Sequence, residues 1–200
     1  MSPRPDVSEV RKNQILDAAM AVFARLGFHS ARMDDIVREA GLSKGALYWY
    51  FKGKDAVITA LLERVFARSR DELRALQESE GPVHERLLRL TQHVAAELRR
   101  MAHLQPIALE FYAVAARQHV VRQFLKQYFK GYREALAALI RQGIDRGEFR
   151  DVDAEAIAVT IIALYEGLAL LWAVDPEAVH WGEQGESAIR LLLEGLRRQN

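Results

Sequence analysis

DDIVREAGLSKGALYWYF, residues 34–51 from Asp34 to Phe51, reads as a short helix, a tight glycine turn and a second short helix. Ile36, Val37 and Ala40 form the apolar side of the first helix, Leu42 fills the turn, and Ala46, Leu47 and Phe51 supply the core side of the second. Gly41 stops the first helix. Ser43 caps the second by offering its hydroxyl oxygen to a backbone N–H that the helix leaves unpaired. Gly45 has no side chain, so the start of the second helix can come close to a phosphate. Lys44, Tyr48, Trp49 and Tyr50 are left for the outer face. Lys44 offers a charge to phosphate or a donor to a guanine edge. The two neighbouring aromatics, Tyr48 and Trp49, offer flat apolar surface with one donor each, suited to thymine methyls and the sugar–phosphate chain. The stretch from Met33 to Phe51 is therefore expected to be a DNA-reading helix-turn-helix.

Outward from this unit, apolar residues recur at spacings of three and four and no stretch alternates at a period of two, so the expected fold is all-α. A first helix is expected over Ser8–Leu26, with Ser8 as cap, an apolar stripe of Ile15, Ala18, Ala19, Val22, Phe23 and Leu26, and Gly27 as a left-handed stop. Helices over Met33–Ala40 and Lys44–Phe51 complete a three-helix head. Gly53 separates it from a six-helix body, with helices expected over Lys54–Gln77, Pro82–Met101, Pro106–Arg117, Val120–Arg146, Ala154–Val174 (capped by Asp153) and Gly182–Arg198. The division expected is residues 1–53 for DNA binding and 54–200 for effector binding and dimerisation.

Charge follows the same division. The whole chain has a formal net charge of only +1, but residues 1–54 carry nine Lys/Arg against six Asp/Glu and the remainder nineteen against twenty-one. A basic head on a slightly acidic body fits one end meeting phosphate. With no cysteine, a disulfide framework, a thiolate nucleophile and a cysteine zinc site are excluded, and a reducing, cytoplasmic setting is expected. No apolar leader precedes the first helix. The most membrane-like run, Ile157–Val174, carries Thr160, Glu166 and Gly167 and lacks basic flanks, so it reads as a helix buried all round in protein, with no membrane span. His29, His84, His93, His103, His119 and His180 form no HExxH, and no GxSxG, P-loop or GxGxxG occurs. No metal, cofactor or enzymatic activity is therefore expected.

The first-helix run ILDAAMAVFARLGF (Ile15–Phe28), then MDDIVREAGLSKGALYWYF, then Lys54, Asp55 and Leu61 resemble the TetR family of repressors, densely over residues 10–60. The resemblance implies a homodimer on a pseudo-palindromic operator, released when a small molecule enters the C-terminal body. It places Ser43, Lys44, Gly45, Tyr48, Trp49, Tyr50 and Lys54 at DNA-contact positions. The chain departs from the family just before the second helix, where a Thr or Ser would cap and touch phosphate. Here Ala31 and Arg32 stand there; Arg32 can replace the phosphate contact but not the cap. Arg4, Arg11 and Lys12 are further candidates for the DNA backbone, while Met33, Asp34 and Asp35 read as structural, since acids suit a helix's first turn.

Reading two half-sites calls for a dimer. The eighth helix (Ile161, Leu164, Leu168, Leu171) is apolar on more than one face and the ninth carries a stripe of Ile189, Leu192, Leu193 and Leu196, so these eight residues are the expected dimer interface, as a four-helix bundle. An aromatic-rich stretch offers Phe111, Tyr112, Tyr128 and Tyr132, and the eighth helix adds Tyr165 and Trp172. These aromatics, each of which reads first as ordinary core, and the polar His103, which reads first as a solvated or paired surface residue, are the candidates for an effector pocket for a hydrophobic or aromatic molecule. Gln105, Glu110 and Arg117 are polar residues that could orient a ligand. The alternatives to an effector-released repressor are an activator, a partner-controlled regulator, or a small-molecule-binding protein whose head no longer binds DNA.

Overall fold

The computed structural model describes residues 7–100 and 105–198, without the side chains of 65, 68–70, 72, 100 and 105–109. His103 and Arg4 lie outside the described residues. The helices are α1 (Val7–Ser30), α2 (Met33–Ala40), α3 (Lys44–Tyr50), α4 (Lys54–Glu78), α5 (Val83–Arg100), α6 (Gln105–Arg117), α7 (His119–Asp145), α8 (Ala154–Val174) and α9 (Trp181–Leu196). Among the described residues the only β pairing is an isolated bridge between Phe149 and Arg197.

Local chemistry explains most ends. Gly41 is left-handed (φ 62°, ψ 32°); its N–H reaches Arg38 O and that of Leu42 reaches Val37 O, which closes α2 with a Schellman turn. Asp153 accepts from Glu155 N and Ala156 N at 3.0 and 3.1 Å and so starts α8. Ser8 lies in the first described turn of α1. Gly27 breaks the first helix as expected, although a short helical segment follows it across a kink. Its φ of 73° with ψ of 161° is extended rather than left-handed helical, a combination that essentially only glycine holds, and one more turn follows. Leu26, expected on the apolar stripe, is exposed, while Leu16 before it and Phe28 beyond the kink are buried.

Contacts divide the chain into two compact units that do not follow a cut at residue 53: residues 1–66 with 103–125, and residues 67–102 with 126–200. The first unit adds α6 to the helix-turn-helix head because Phe28 stacks on Phe23 (4.7 Å between ring centroids) and on Phe111 of α6 (4.8 Å). Its core also takes in Ile15, Val22, Ile36, Leu47 and Phe51.

The second unit is built on a core of Leu87, Leu90, Leu136, Ile140, Ile161, Ile189 and Leu193. Two polar devices, one buried and one half-buried, close its helix ends. Arg86 on α5 is wholly buried and donates to Leu76 O, Gln77 O and Gln142 Oε1, which satisfies carbonyls at the end of α4. Glu148, after α7, accepts from Val83 N at 2.8 Å and from His84 N, and so caps α5 from 65 residues away. The hydroxyl of buried Tyr165 meets Thr91 Oγ1 at 2.8 Å. Burial pushes the phenol's pKa up to about 12, against the Thr91 hydrogen bond, which lowers it.

The expected all-round burial of α8 is corrected. By length and composition α8 could cross a membrane, yet only 17% of its most apolar window is buried. One side packs inward through Ala158, Ile161 and Tyr165; the other leaves Val159, Leu170, Leu171 and Val174 in solvent.

Candidate nucleic-acid interface

The reading helix α3 is held by its own cap and by a buried underside. Ser43 is extended (φ −74°, ψ 153°) and its Oγ accepts from Ala46 N at 3.2 Å. Leu47 and Phe51 are buried against the head core, which turns the opposite side of α3 outward. Trp49 is 69% exposed and lies edge-on to Tyr50, with centroids 4.6 Å apart; Tyr48 is also exposed. A Cβ added to Gly45 would meet nothing within 4 Å, so the space above it is open to an incoming molecule. The structure thus brings Ser43, Lys44, Gly45, Tyr48 and Trp49 together on one outward face, with Tyr50 half-buried at its edge.

Lys44 is not idle on that face. Its Nζ lies 2.8 Å from Asp34 Oδ1 on α2, with both side chains well exposed. The hydrogen bond to Asp34, and then its charge, raise the Lys44 pKa above the ordinary lysine value, so the ammonium is fully charged. Asp34 was expected only to suit the helix dipole; it also pairs with the lysine on the outward face of α3.

Arg32 sits at the N-cap of α2 and its side chain supplies no cap, as expected. The missing hydroxyl is partly compensated from the other direction. Asp35 Oδ2 accepts from Arg32 N at 2.9 Å, which is the returning half of a capping box. The Arg32 side chain remains exposed.

Lys54 corrects the expectation of an outward contact. Its Nζ donates to Phe28 O (2.6 Å), His29 O (3.1 Å) and Ala31 O (3.0 Å), so all three of its N–H bonds are taken by carbonyls after the Gly27 kink. The same turn is gripped from α6, where Glu110 Oε2 accepts from Phe28 N. Glu110 was a candidate for orienting a ligand; it is engaged inside the head unit instead. Arg25–Glu39 (2.9 Å) and Arg64–Asp17 (2.5 Å) add ion pairs around α1. None of these long-range pairings leaves a signal in residue spacing.

The candidate effector residues fall in both compact units. Phe111, on Phe28, and exposed Tyr112 belong to the first compact unit. In the second, Tyr128 packs on Tyr132 at 5.9 Å, Tyr165 packs on Trp181 at 5.5 Å, and Trp172 is half-buried. The expected dimer residues separate too. Ile161, Ile189, Leu193 and Leu196 are buried within the chain's own core, Leu164, Leu168 and Leu192 are half-buried, and Leu171 is 56% exposed. Val159, Leu170, Val174 and Leu191, unremarked in the sequence, are the other large apolar side chains exposed on α8 and α9.

Comparison with known proteins agrees with this geometry. Residues 15–61 match the family model described as bacterial regulatory proteins, tetR family, and residues 106–198 match that of the C-terminal region of a BetI-type transcriptional repressor. The chain is 30% identical to the HTH-type transcriptional regulator TtgR of Pseudomonas putida over 194 residues, covering 89% of this chain and 90% of TtgR. It superposes on SmeT, the repressor of the Stenotrophomonas maltophilia multidrug efflux pump SmeDEF, in a complex with triclosan. That match has a TM-score of 0.85 at 24% identity and covers 96% of this chain and 93% of the other. FadR of Bacillus subtilis in complex with stearoyl-CoA matches with a TM-score of 0.80 at 23% identity, over 92% and 99% of the two chains.

Proposed function

Because this chain belongs to the tetR family of bacterial regulatory proteins, we propose that it is a cytoplasmic transcriptional repressor that binds a pseudo-palindromic operator as a homodimer and leaves it when a small molecule occupies the C-terminal body. The observation that carries the DNA reading is the face of α3: a capped helix with a buried underside, an open backbone at Gly45, a charged Lys44 and exposed Tyr48 and Trp49. Lys44 contacts phosphate or a guanine edge, the aromatics pack on thymine methyls and sugar, and Arg32 adds a charge at the start of α2.

Dimerisation is supported by the outer side of α8 with its neighbour α9. Val159, Leu170, Leu171, Val174 and Leu191 leave large apolar side chains of these two helices in solvent, where a second copy would cover them. Two copies joined through this side form a four-helix bundle and place two reading helices on successive half-sites. Among the similar structures, SmeT holds triclosan and FadR holds stearoyl-CoA, which supports a hydrophobic or aromatic effector here. The effector acts by binding more tightly to a dimer whose α4 helices hold the reading helices at the wrong spacing.

The test has two parts. Selection from fragmented genomic DNA should enrich a palindromic site with the wild type, and no enriched site would overturn the DNA reading. In sedimentation, the wild type should run as a dimer and Leu171→Glu as a monomer that has lost the selected site; a wild-type monomer at micromolar concentration would overturn the dimer.

A further inference from the structure

We propose that Gln14 is a positioning residue that holds the Arg11 guanidinium beside the turn of the helix-turn-helix, where it takes a phosphate of the operator backbone. The proposal deepens the DNA reading and rests on it. Arg11 and Gln14 lie three residues apart on α1, so their side chains share a face. Arg11 Nη1 donates to Gln14 Oε1 at 2.8 Å, and Gln14 Nε2 donates to Ala40 O at 2.8 Å. Ala40 is the last residue of α2, and the turn at Gly41 leads from it to Ser43 and Lys44. The two bonds fix one guanidinium nitrogen within about 8 Å of the carbonyl that ends α2. All three residues belong to the first compact unit.

The relay needs both halves of an amide. The oxygen of half-buried Gln14 can only accept and its NH2 can only donate. Turned the other way, the amide would set N–H against guanidinium and oxygen against carbonyl. A glutamate at this position would suit Arg11 but repel Ala40 O, and a lysine would do the reverse. Ala40 O is one of the carbonyls that the end of α2 leaves unpaired, because the N–H groups of Gly41 and Leu42 go to Arg38 O and Val37 O instead. Gln14 thus joins a helix end that lacks a donor to a cation that would otherwise move freely.

The same relay orients Arg11 without neutralising it. Other cations of this unit face acids: Arg25 pairs with Glu39, Arg38 with Asp35, Lys44 with Asp34 and Arg64 with Asp17. Arg11 is exposed, has no acidic partner among the described residues, and is fixed by a neutral amide. The acids of the adjoining groove, Asp17 and Glu39, are the ones already matched by Arg64 and Arg25. One N–H of the guanidinium goes to Gln14, which leaves the rest of its fork for a phosphate, taken in two parallel bonds. Ordering a long side chain opposes binding, and here part of that ordering precedes the DNA.

The experiment measures fluorescence anisotropy of full-length protein over a salt series, on the duplex selected from genomic DNA and on a random-sequence duplex. Arg11→Ala should weaken both about equally, by about three- to tenfold at low salt, and flatten the slope of log K on log salt by about 0.9. Gln14→Leu should weaken both about threefold, yet cost nothing further when Arg11 is already alanine. A role confined to the end of α2 would weaken binding equally in either background, and that result would overturn the proposal. Arg11→Lys keeps the charge and loses the fork, so it should hold the slope and lose about threefold in affinity. It carries the same test should Gln14→Leu fail to fold, and wild-type affinity in Arg11→Lys would overturn the positioning role. An unchanged slope in Arg11→Ala, while the wild type binds its selected duplex, would overturn the phosphate contact alone. A wild type that selects no duplex would overturn the DNA reading and this contact together.

Discussion

The carboxylate of Glu110 on α6 accepts the backbone N–H of Phe28, the residue that follows the kink in α1, while Lys54 on α4 takes the carbonyls of Phe28, His29 and Ala31 from the other side. The turn that leads into the helix-turn-helix is thus gripped by two charged side chains distant in sequence. Gly27 makes the grip possible: a Cβ there would come 2.7 Å from Glu110 Oε1, on a backbone of positive φ. Gly27→Ala should therefore destabilise the protein by about 1–3 kcal/mol in urea unfolding. Glu110→Ala should cost a similar amount, about 1–3 kcal/mol, because Phe28 N loses its acceptor, and Glu110→Gln should recover much of it. A neutral Gly27→Ala would refute the account of the kink.

Lys44 and Lys54 lie ten residues apart and should respond to salt in opposite ways. Lys44→Ala should weaken operator binding and flatten the dependence of log K on log salt by about 0.9 for each phosphate contact removed. Lys54→Ala should leave the slope unchanged but lower the stability of the chain by about 1–3 kcal/mol, since three carbonyls lose a charged donor. Fluorescence anisotropy over a salt series separates the two, and a flattened slope in Lys54→Ala would return that lysine to the DNA contacts.

With Lys44 proposed to meet DNA, the Asp34 ion pair is the contact that phosphate would have to displace. Asp34→Asn should raise affinity for random-sequence duplex about two- to fivefold, the scale of an exposed ion pair, and raise operator affinity by less. The ratio of specific to non-specific affinity then falls, which marks Asp34 as a brake on indiscriminate binding. Equal gains on both duplexes would show that the carboxylate is only a neighbouring charge.

Glu148 supplies an acid-sensitive joint in the second unit. Burial alone would raise its pKa, but hydrogen bonds from Val83 N, His84 and His84 N together hold it below the ordinary glutamate value. A carboxylate depressed on folding contributes fully above its unfolded pKa of about 4.3 and loses that contribution as pH falls through its folded value. Glu148→Gln should cost about 1–2 kcal/mol at pH 7 and flatten the fall in stability below about pH 4.5, as read by chemical denaturation across pH.

Whatever depended on residues near one another in the chain was legible beforehand. α8 has the expected ends, Ala154 and Val174, and the other described helices begin and end within a few residues of expectation, because apolar spacing and Gly or Pro punctuation act locally. The Ser43 and Asp153 caps are likewise three-residue affairs. Partner choice was not legible. A stripe such as Ile189, Leu192, Leu193 and Leu196 announces that a helix face is buried, but not whether the covering atoms belong to the same chain, and most of that stripe turned out to be internal core.

By itself, then, the sequence determined an all-α chain with a helix-turn-helix whose outward face carries Lys44, Tyr48 and Trp49, since turn chemistry and helical periodicity are properties of short segments. Tertiary structure alone decided where the charges go. It sent Lys54 inward to a turn 23–26 residues away, drew Glu110 to Phe28 across 82 residues, paired Lys44 with Asp34, and left Leu171 and its neighbours uncovered. Each outcome depends on which surfaces meet when helices pack, and no spacing along the chain records that.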